Sequence, residues 1–480
     1  MKTKVLCTTA PLIQQHELTS KCNNNCGFCY NPERCWSKVS LPRKEDVERN
    51  LAIARLSVSK GVMAICLTGG EPFLMGEHLF DVLQIYQEAG CYTSVNSNGR
   101  LITKAIAKRL FDIGLNSALI SIHGIGKYHN EMVGVDKAFL ETLGGIKNLM
   151  EAGIRVIPNF VATAKNIDQL EEVGNLLQKI GLTSMTATPF LPSWAAPEHE
   201  QFIMQKNHYR QYFNSLAKID SLGIKIDSTL PIPPCVLIKF FPDDWGKYLK
   251  VLSPRVCMAG KSFGVVSPDG LFRSCIQAPY FTEYGGEVLS NYEQSWKNAN
   301  TWANIKLLPK VCLECKALSV CGGGCRTSCL YENNGSAKGN TMYMGEPLSE
   351  NEAQLFIDRI KVKINLTSSV FEWQANIKIR KEDQGMIIFN TENQSFCILS
   401  SYFEKYSQEK FFEIKDEPLA RVLLSVGAIV PINKKKAIPI IKMSKKVKVL
   451  SANILLPRLA RELKDDVFNF RADTGERLFF

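Results

Sequence analysis

From about residue 60 to 230, short apolar runs alternate with amphipathic stretches, and this alternation limits the fold more than any other feature of the chain. Val62–Leu67 reads as a buried strand. Glu77–Ala89 has helical spacing in Leu79, Phe80, Leu83 and Tyr86. Cys91–Val95, Ser117–Ile122, Arg155–Val161, Thr183–Phe190 and Ile224–Ile226 continue as strands. Between them Lys104–Ile113, Lys137–Ala152, Ile167–Ile180 and His199–Leu222 read as helices, with Asn166 as a cap and Gly181 as a stop. Repeated strand–helix units place parallel strands in one sheet, joined by crossovers. With the region of Cys22 attached to the first unit there are about six such units, fewer than the eight of a full barrel. The expected fold class is α/β, a partial (β/α)6 TIM-like barrel open on one side.

Composition removes several classes. Of 480 residues, 45% are hydrophobic and 22% charged, so the chain is not a disordered, collagen-like or coiled-coil protein. No stretch approaches the run of apolar residues that a membrane span needs. The start, Met1-Lys-Thr-Lys-Val-Leu-Cys7, is basic but has no apolar signal core, which makes the cytoplasm the expected location. The net charge of +11 is spread along the chain, and no nucleic-acid partner is expected from it.

After residue 230 the texture changes. Pro231, Pro233 and Pro234 break the alternation, and residues 257–345 are rich in Gly, Cys and turns. Such a segment has few apolar residues for a core of its own. The expected division is 10–230 for the barrel, 231–349 for a cysteine-rich domain and 350–480 for a small α+β region.

Sixteen cysteines are too sparse for a disulfide scaffold, yet they cluster, three within Cys22–Cys29 and five within Cys312–Cys329. In a reducing compartment such clusters point to metal or catalysis. Cys22, Cys26 and Cys29 form CxxxCxxC. Three thiolates on one loop can bind three irons of a cubic [4Fe–4S] cluster and leave the fourth free for another ligand. A zinc site lacking one ligand is the alternative.

This spacing, with Phe28 before the third cysteine, resembles the radical S-adenosylmethionine (radical SAM) superfamily. Thr68-Gly69-Gly70-Glu71-Pro72 looks like the GGEP motif of that family. Ser97-Asn98-Gly99 and Ser121-Ile-His123-Gly124 sit at later strand ends, where the family places further contacts. The resemblance implies that Cys22, Cys26 and Cys29 ligate the cluster. It implies that Phe28, Gly69, Gly70, Glu71, Pro72, Ser97, Asn98 and Ser121 bind S-adenosylmethionine (SAM). The implied chemistry is reductive cleavage of SAM to a 5′-deoxyadenosyl radical, which abstracts hydrogen from a substrate. A reductant such as flavodoxin or ferredoxin would supply the electron. No catalytic acid or base is assigned.

A second array reads Cys257, then Gly270 and Cys275, then Cys312, Cys315, Cys321 and Cys325. Its order resembles the SPASM domain, an extension that carries auxiliary iron–sulfur clusters, while the last four alone would also suit a zinc ribbon. By the resemblance, Cys257, Cys275 and Cys325 ligate the nearer auxiliary cluster and Cys312, Cys315 and Cys321 the farther one, with Cys329 as the substitute for a missing last ligand. The stretch Gly339–Pro347 has no cysteine. Ile276 stands where sulfatase-maturating relatives carry an aspartate, with Asp269 and Glu283 near in sequence. Cys7, Cys35, Cys66, Cys91, Cys235 and Cys397 read as small buried hydrophobes. Among these, Cys35 lies near the first cluster in sequence.

Two β-rich runs around Asn390–Gln394 predict a hairpin, followed by helical stretches up to Gly427. Residues 376–431 faintly resemble PqqD-like elements that bind leader peptides, and a structural cap is the alternative. Seven lysines from Lys434 to Lys448, with no acidic residue among them, form a basic run. The functional expectation is a radical SAM/SPASM enzyme acting on a ribosomally made precursor peptide, by crosslinking, epimerisation or excision. The alternatives are sulfatase maturation to formylglycine and a non-catalytic iron–sulfur or zinc protein.

Overall fold

The computed structural model describes residues 4–5, 7–31, 35–36, 42–192, 197–228, 230–248, 251, 256–278, 285–303, 308, 310–327, 348–359, 370–383, 385–392, 394–399, 404, 407, 411–414, 417–431, 449–453 and 478–479. It divides into two compact units. One holds Ala10–Glu314 and Gly323–Pro347. The other holds Met1–Thr9, Cys315–Gly322 and Leu348–Phe480.

The larger unit is built on a ten-stranded sheet. In chain order its strands are β1 (Ile13–Glu17), β2 (Ala64–Thr68), β3 (Tyr92–Ser97), β4 (Ser117–Ser121), β5 (Arg155–Ala162), β6 (Ser184–Pro189), β7 (Lys225–Asp227), β8 (Phe263–Val266), β9 (Leu271–Arg273) and β10 (Gly285–Glu287). Their order across the sheet is β7-β6-β5-β4-β3-β2-β1-β8-β9-β10. Strands β7 to β1 and β8 are parallel, with Gln15 in register with Cys66 and Val265. β8, β9 and β10 pair antiparallel. The helices between the parallel strands are α1 (Lys44–Ser59), α2 (Glu77–Glu88), α3 (Lys104–Ile113), α4 (Lys127–Val133), α5 (Ala138–Glu151), α6 (Leu170–Lys179) and α7 (Lys206–Ser221). Six strand–helix units therefore precede β7, and among the described residues β7 and β10 stand at opposite edges of an unclosed sheet. The expected α/β partial barrel is the architecture observed.

The local chemistry explains the elements. Thr103 caps α3 by accepting from Ile106 N–H, and Gly114 ends it at φ 100°, where a side chain would be strained. One face of α2 buries Leu79, Phe80, Val82, Leu83 and Tyr86, which join Leu67, Val95 and Ile120 from the strands in one core. The opposite face of the sheet is more open. Gln15, Cys66, Ser94, Ser121, Asn159 and Asp227 are half-buried there.

Among the elements not legible in the sequence are β1 and α1. Their interface is polar. Gln14 Nε2 donates to Ser57 Oγ at 2.9 Å, and His16 meets Asn50 Oδ1 at 3.0 Å and Tyr86 Oη at 3.2 Å. Asn166 also departs from expectation, since its side chain does not cap the following helix. Its Oδ1 accepts from Thr163 and its Nδ2 donates to the carbonyls of His123 and Val161, tying the ends of β4 and β5. The 199–222 helix begins later than expected, at Lys206, because Pro197–Phe202 forms a separate 3-10 turn.

The smaller unit contains β11 (Val370–Trp373), β12 (Ile377–Glu382), β13 (Gly385–Asn390), β14 (Phe396–Leu399), β15 (Phe411–Glu413), α8 (Glu417–Ser425), β16 (Ile429–Pro431) and β17 (Val449–Asn453). One antiparallel sheet runs β12-β13-β14-β17 and another β15-β11-β16. The hairpin expected at Asn390–Gln394 joins β13 to β14, with Gln394 in the left-handed region at φ 59°. Phe371, Ile388, Leu399, Leu419, Leu423 and Ile429 form its core. The basic run Lys434–Lys448, Cys329, Glu283 and residues 339–347 lie outside the described residues. No described helix is long and apolar enough to cross a membrane.

Candidate active site

Beyond Glu17 the chain runs along the end of β2 before it reaches Cys22. Leu18 N–H donates to Thr68 O at 2.8 Å, Gly70 N–H to Thr19 O at 2.6 Å and Glu71 N–H to Lys21 O at 2.8 Å. A Cβ on Gly70 would lie 2.0 Å from Lys21 O, and one on Gly69 would lie 2.4 Å from Thr19 O. The glycine pair thus lets two backbones lie against each other, which sets the starting point of the cysteine loop.

Within that loop Cys22 is buried, while Cys26 and Cys29 are half-buried. Asn24 N–H donates to Cys22 Sγ at 3.4 Å, and Asn25 N–H donates to Val133 O on α4 at 2.8 Å. Phe28 is buried edge-on to His123, with ring centres 4.9 Å apart, and also meets Phe202. Cys26 packs against this aromatic group.

Glu71 braces the site. Its Oε1 accepts from Phe73 N–H at 3.2 Å and Ser97 Oγ at 2.8 Å, and its Oε2 accepts from Asn98 N–H at 2.8 Å. Burial raises its pKa to about 7, against the three donors that favour the carboxylate. Ser97 and Asn98 are thereby held by the protein itself. Pro72 opens the 3-10 turn Pro72–Met75. Ser121 ends β4 in register with Asn159 and is half-buried.

Contacts that the sequence did not reveal, from Asn98 and from Arg100, secure the loop. Asn98 Nδ2 donates to Asn23 Oδ1 at 2.6 Å. Arg100 Nη1 donates to Asn23 O at 2.6 Å and Asn24 Oδ1 at 2.9 Å, while its Nε meets Glu141 Oε2 at 2.6 Å. The available signal was the run Asn23-Asn24-Asn25 together with the polar turn Ser97–Arg100. His123 and His129 are both buried. His129 Nδ1 accepts from His123 N–H at 3.0 Å, and burial lowers their pKa values to about 3 and about 4.

The second array divides differently. Cys257, Cys275 and Cys325 belong to the larger unit. Cys257 and Cys275 pack against Ala259, Ala278 and Trp302. Burial, then the nearby Cys325 and Cys257 thiols, push Cys275 up to about 12. Cys315 and Cys321 lie in the smaller unit, in a turn where Leu318 N–H bonds Cys315 O and Cys321 N–H bonds Ala317 O. Cys312 lies on the short helix Lys310–Glu314 of the larger unit. Cys91 and Cys397 are buried as expected, whereas Cys7, Cys66 and Cys235 are half-buried.

The donor sets suit iron–sulfur clusters. Thiolate is the usual cluster ligand, and Cys22, Cys26 and Cys29 offer three on one loop. Neighbouring thiols with reduced access to water, as at Cys275, resist ionising until a cation replaces their protons. Among the described residues no three His, Cys, Asp or Glu side chains sit closely enough for a single metal ion. In an iron–sulfur cluster each cysteine thiolate would bind its own iron, so the donors need not converge on one ion.

Comparison with known proteins agrees with this geometry. Residues 16–177 match the radical SAM superfamily profile. The chain is 32% identical over 171 residues to a probable GTP 3′,8-cyclase of Sulfurisphaera tokodaii, covering 35% of this chain and about half, 52%, of that relative's length. It is 24% identical over 330 residues to a PqqA peptide cyclase of Ruegeria pomeroyi, covering 67% of this chain and 84% of that one. In fold it resembles SuiB of Streptococcus suis, solved with its precursor peptide SuiA, at a TM-score of 0.55 and 16% identity over 70% of this chain and 77% of the other. The cysteine loop, the glycine-paired strand end and the parallel sheet that carries them are therefore those of a radical SAM domain, which this chain carries over residues 16–177.

Proposed function

We propose that this chain uses SAM radical chemistry to modify a ribosomally made precursor peptide. The observation that carries the reading is the gathering of Cys257 and Cys325 around the half-buried Cys275, beyond the matched domain yet within the same compact unit. A radical SAM domain takes a [4Fe–4S] cluster and SAM. When bound, they supply one-electron cleavage of the sulfonium to a 5′-deoxyadenosyl radical that takes a hydrogen atom from substrate. Cys22, Cys26 and Cys29 would hold that cluster, and Cys257, Cys275 and Cys325 an auxiliary one. Residues 231–349 would then be the auxiliary-cluster region.

The protein's own work is positioning and exclusion of water. Arg100 and Asn98 hold the loop, Phe28 and His123 wall it with rings, and the half-buried polar face of the sheet receives a polar chain. Similarity to a PqqA peptide cyclase over 67% of the chain supports a peptide as that substrate. Residues 376–431 would bind its leader by adding a strand. In support, β12 carries Lys378, Arg380 and Lys381 and pairs only with β13 among the described strands.

The test is anaerobic reconstitution with iron and sulfide, then incubation with SAM, dithionite and the short peptide encoded beside the gene. Formation of 5′-deoxyadenosine together with a mass change in the peptide is expected. A reconstituted cluster that cleaves SAM yet leaves every such peptide unchanged would refute the substrate, and zinc in place of iron would refute the chemistry.

A further inference from the structure

Glu17 closes β1 with its side chain fully buried, and Arg273 closes β9, two residues before Cys275, at 3% side-chain exposure. The two form an ion pair. Arg273 Nη1 also donates to Ile276 O at 2.9 Å, so the guanidinium straddles Cys275. On the other side the hydroxyl of Tyr30, the residue after Cys29, donates to Glu17 Oε1 at 3.4 Å. Three side chains thus connect the segment of Cys29 to the segment of Cys275.

This connection adds a constraint the sheet does not. β8 lies between β1 and β9, so no backbone ladder joins the two strands directly. Arg273 and Gln15 both face Val265 in register, and Glu17 lies two residues past Gln15 on the same face. The ion pair therefore reaches over a strand. A buried ion pair is a weak device for stability, because apolar residues of similar volume do as well. The planar fork of arginine does impose a definite geometry on a carboxylate.

We propose that Glu17 and Arg273 are positioning residues that couple the two cysteine arrays. Occupancy of the Cys257, Cys275 and Cys325 set orders Arg273. Through Glu17 and Tyr30 that order passes to the loop of Cys22, Cys26 and Cys29, which then binds SAM more tightly. The inference rests on the function proposed above. Binding linkage is reciprocal, so bound SAM also stabilises the second set by the same factor.

A double-mutant cycle on the full chain tests it, with anaerobic measurements of iron content and SAM affinity. The variants are Cys275→Ala, the neutral pair Glu17→Gln with Arg273→Met, and all three together. The neutral pair leaves no buried charge unpaired, and Arg273→Lys, which keeps the charge but not the fork, carries the cycle should the neutral pair fail to fold. Cys275→Ala is expected to weaken SAM binding at least about fivefold in the native background. In the neutral-pair background it is expected to change affinity by less than about twofold. An equal effect in both backgrounds, or none in the native one, would overturn the coupling. A native chain that takes up no iron at Cys22, Cys26 and Cys29 would instead overturn the reading of the site, and the coupling with it.

Discussion

Ser97 Oγ donates to Glu71 Oε1 at 2.8 Å, and the contact locks the end of β3 to the end of β2. Burial raises the Glu71 carboxyl from 4.5 to about 7. A folded-state pKa above the unfolded one means that the folded chain holds the proton longer, so stability falls as pH rises from 4.5 to about 7. Glu71→Gln has no such proton to lose. Thermal melts across that window should show the native chain losing up to about 3 kcal/mol relative to the variant. Parallel pH profiles would contradict the assignment.

Gly70→Ala drives a Cβ to within 2.0 Å of Lys21 O, a backbone atom directly ahead of Cys22. The expected cost is about 1–3 kcal/mol, with a displaced loop and less bound iron. Gly144 in α5 meets nothing within 4 Å at the same construction, so Gly144→Ala should stabilise the chain by roughly 0.5–1 kcal/mol. Chemical denaturation with iron analysis separates the two, and equal iron content in both variants would count against the loop's dependence on Gly70.

Arg100→Ala removes two charge-assisted hydrogen bonds to Asn23 and Asn24. With such bonds worth about 1.5–3 kcal/mol each, iron should leave for a chelator at least about tenfold faster. Glu141 is 43% exposed where it meets Arg100, so Glu141→Gln should change that rate only slightly. Similar rates in both variants would show that Arg100 acts through its surface pair alone.

His16 is buried between Asn50 and Tyr86, and burial lowers its pKa from 6.5 to about 4. Its neutral form is the folded one, so its contribution is lost as pH falls from 6.5 through about 4. His16→Gln should flatten the acid limb of stability by at most about 3 kcal/mol. Urea titrations at the two ends of that window check it, and an unchanged slope would assign the acid limb to other groups.

Apolar alternation made β2 to β7 legible, because their faces toward the helices are hydrophobic, as at Leu67, Val95 and Ile120. It could not show β1 or α1, where Gln14 bonds Ser57 and His16 meets Asn50, polar against polar in the interior. The short helix α4 carries His129 and docks on Asn25, and its seven residues are too few for a clear period. At the site, the spacing of Cys22, Cys26 and Cys29 is written in the chain. Their support by Arg100 and Asn98 is not, since a hydrogen bond formed across distant segments leaves no periodic trace. Asn166 reads as a helix cap for the same reason, its bond to His123 being tertiary.

β1 lies inside the sheet, paired with β2 on one side and β8 on the other, with Ile13 opposite Phe263. The ribosome delivers that second neighbour about 250 residues after the first strand, roughly 10–50 s at usual synthesis rates. Until then the strand that leads into Cys22 presents a bare hydrogen-bonding edge, a template for the wrong partner. Expression fragments that stop after Asp227 would make that interval permanent and should aggregate, whereas those carried through Asn300 also supply Tyr292 and Trp296 to cover Ile53.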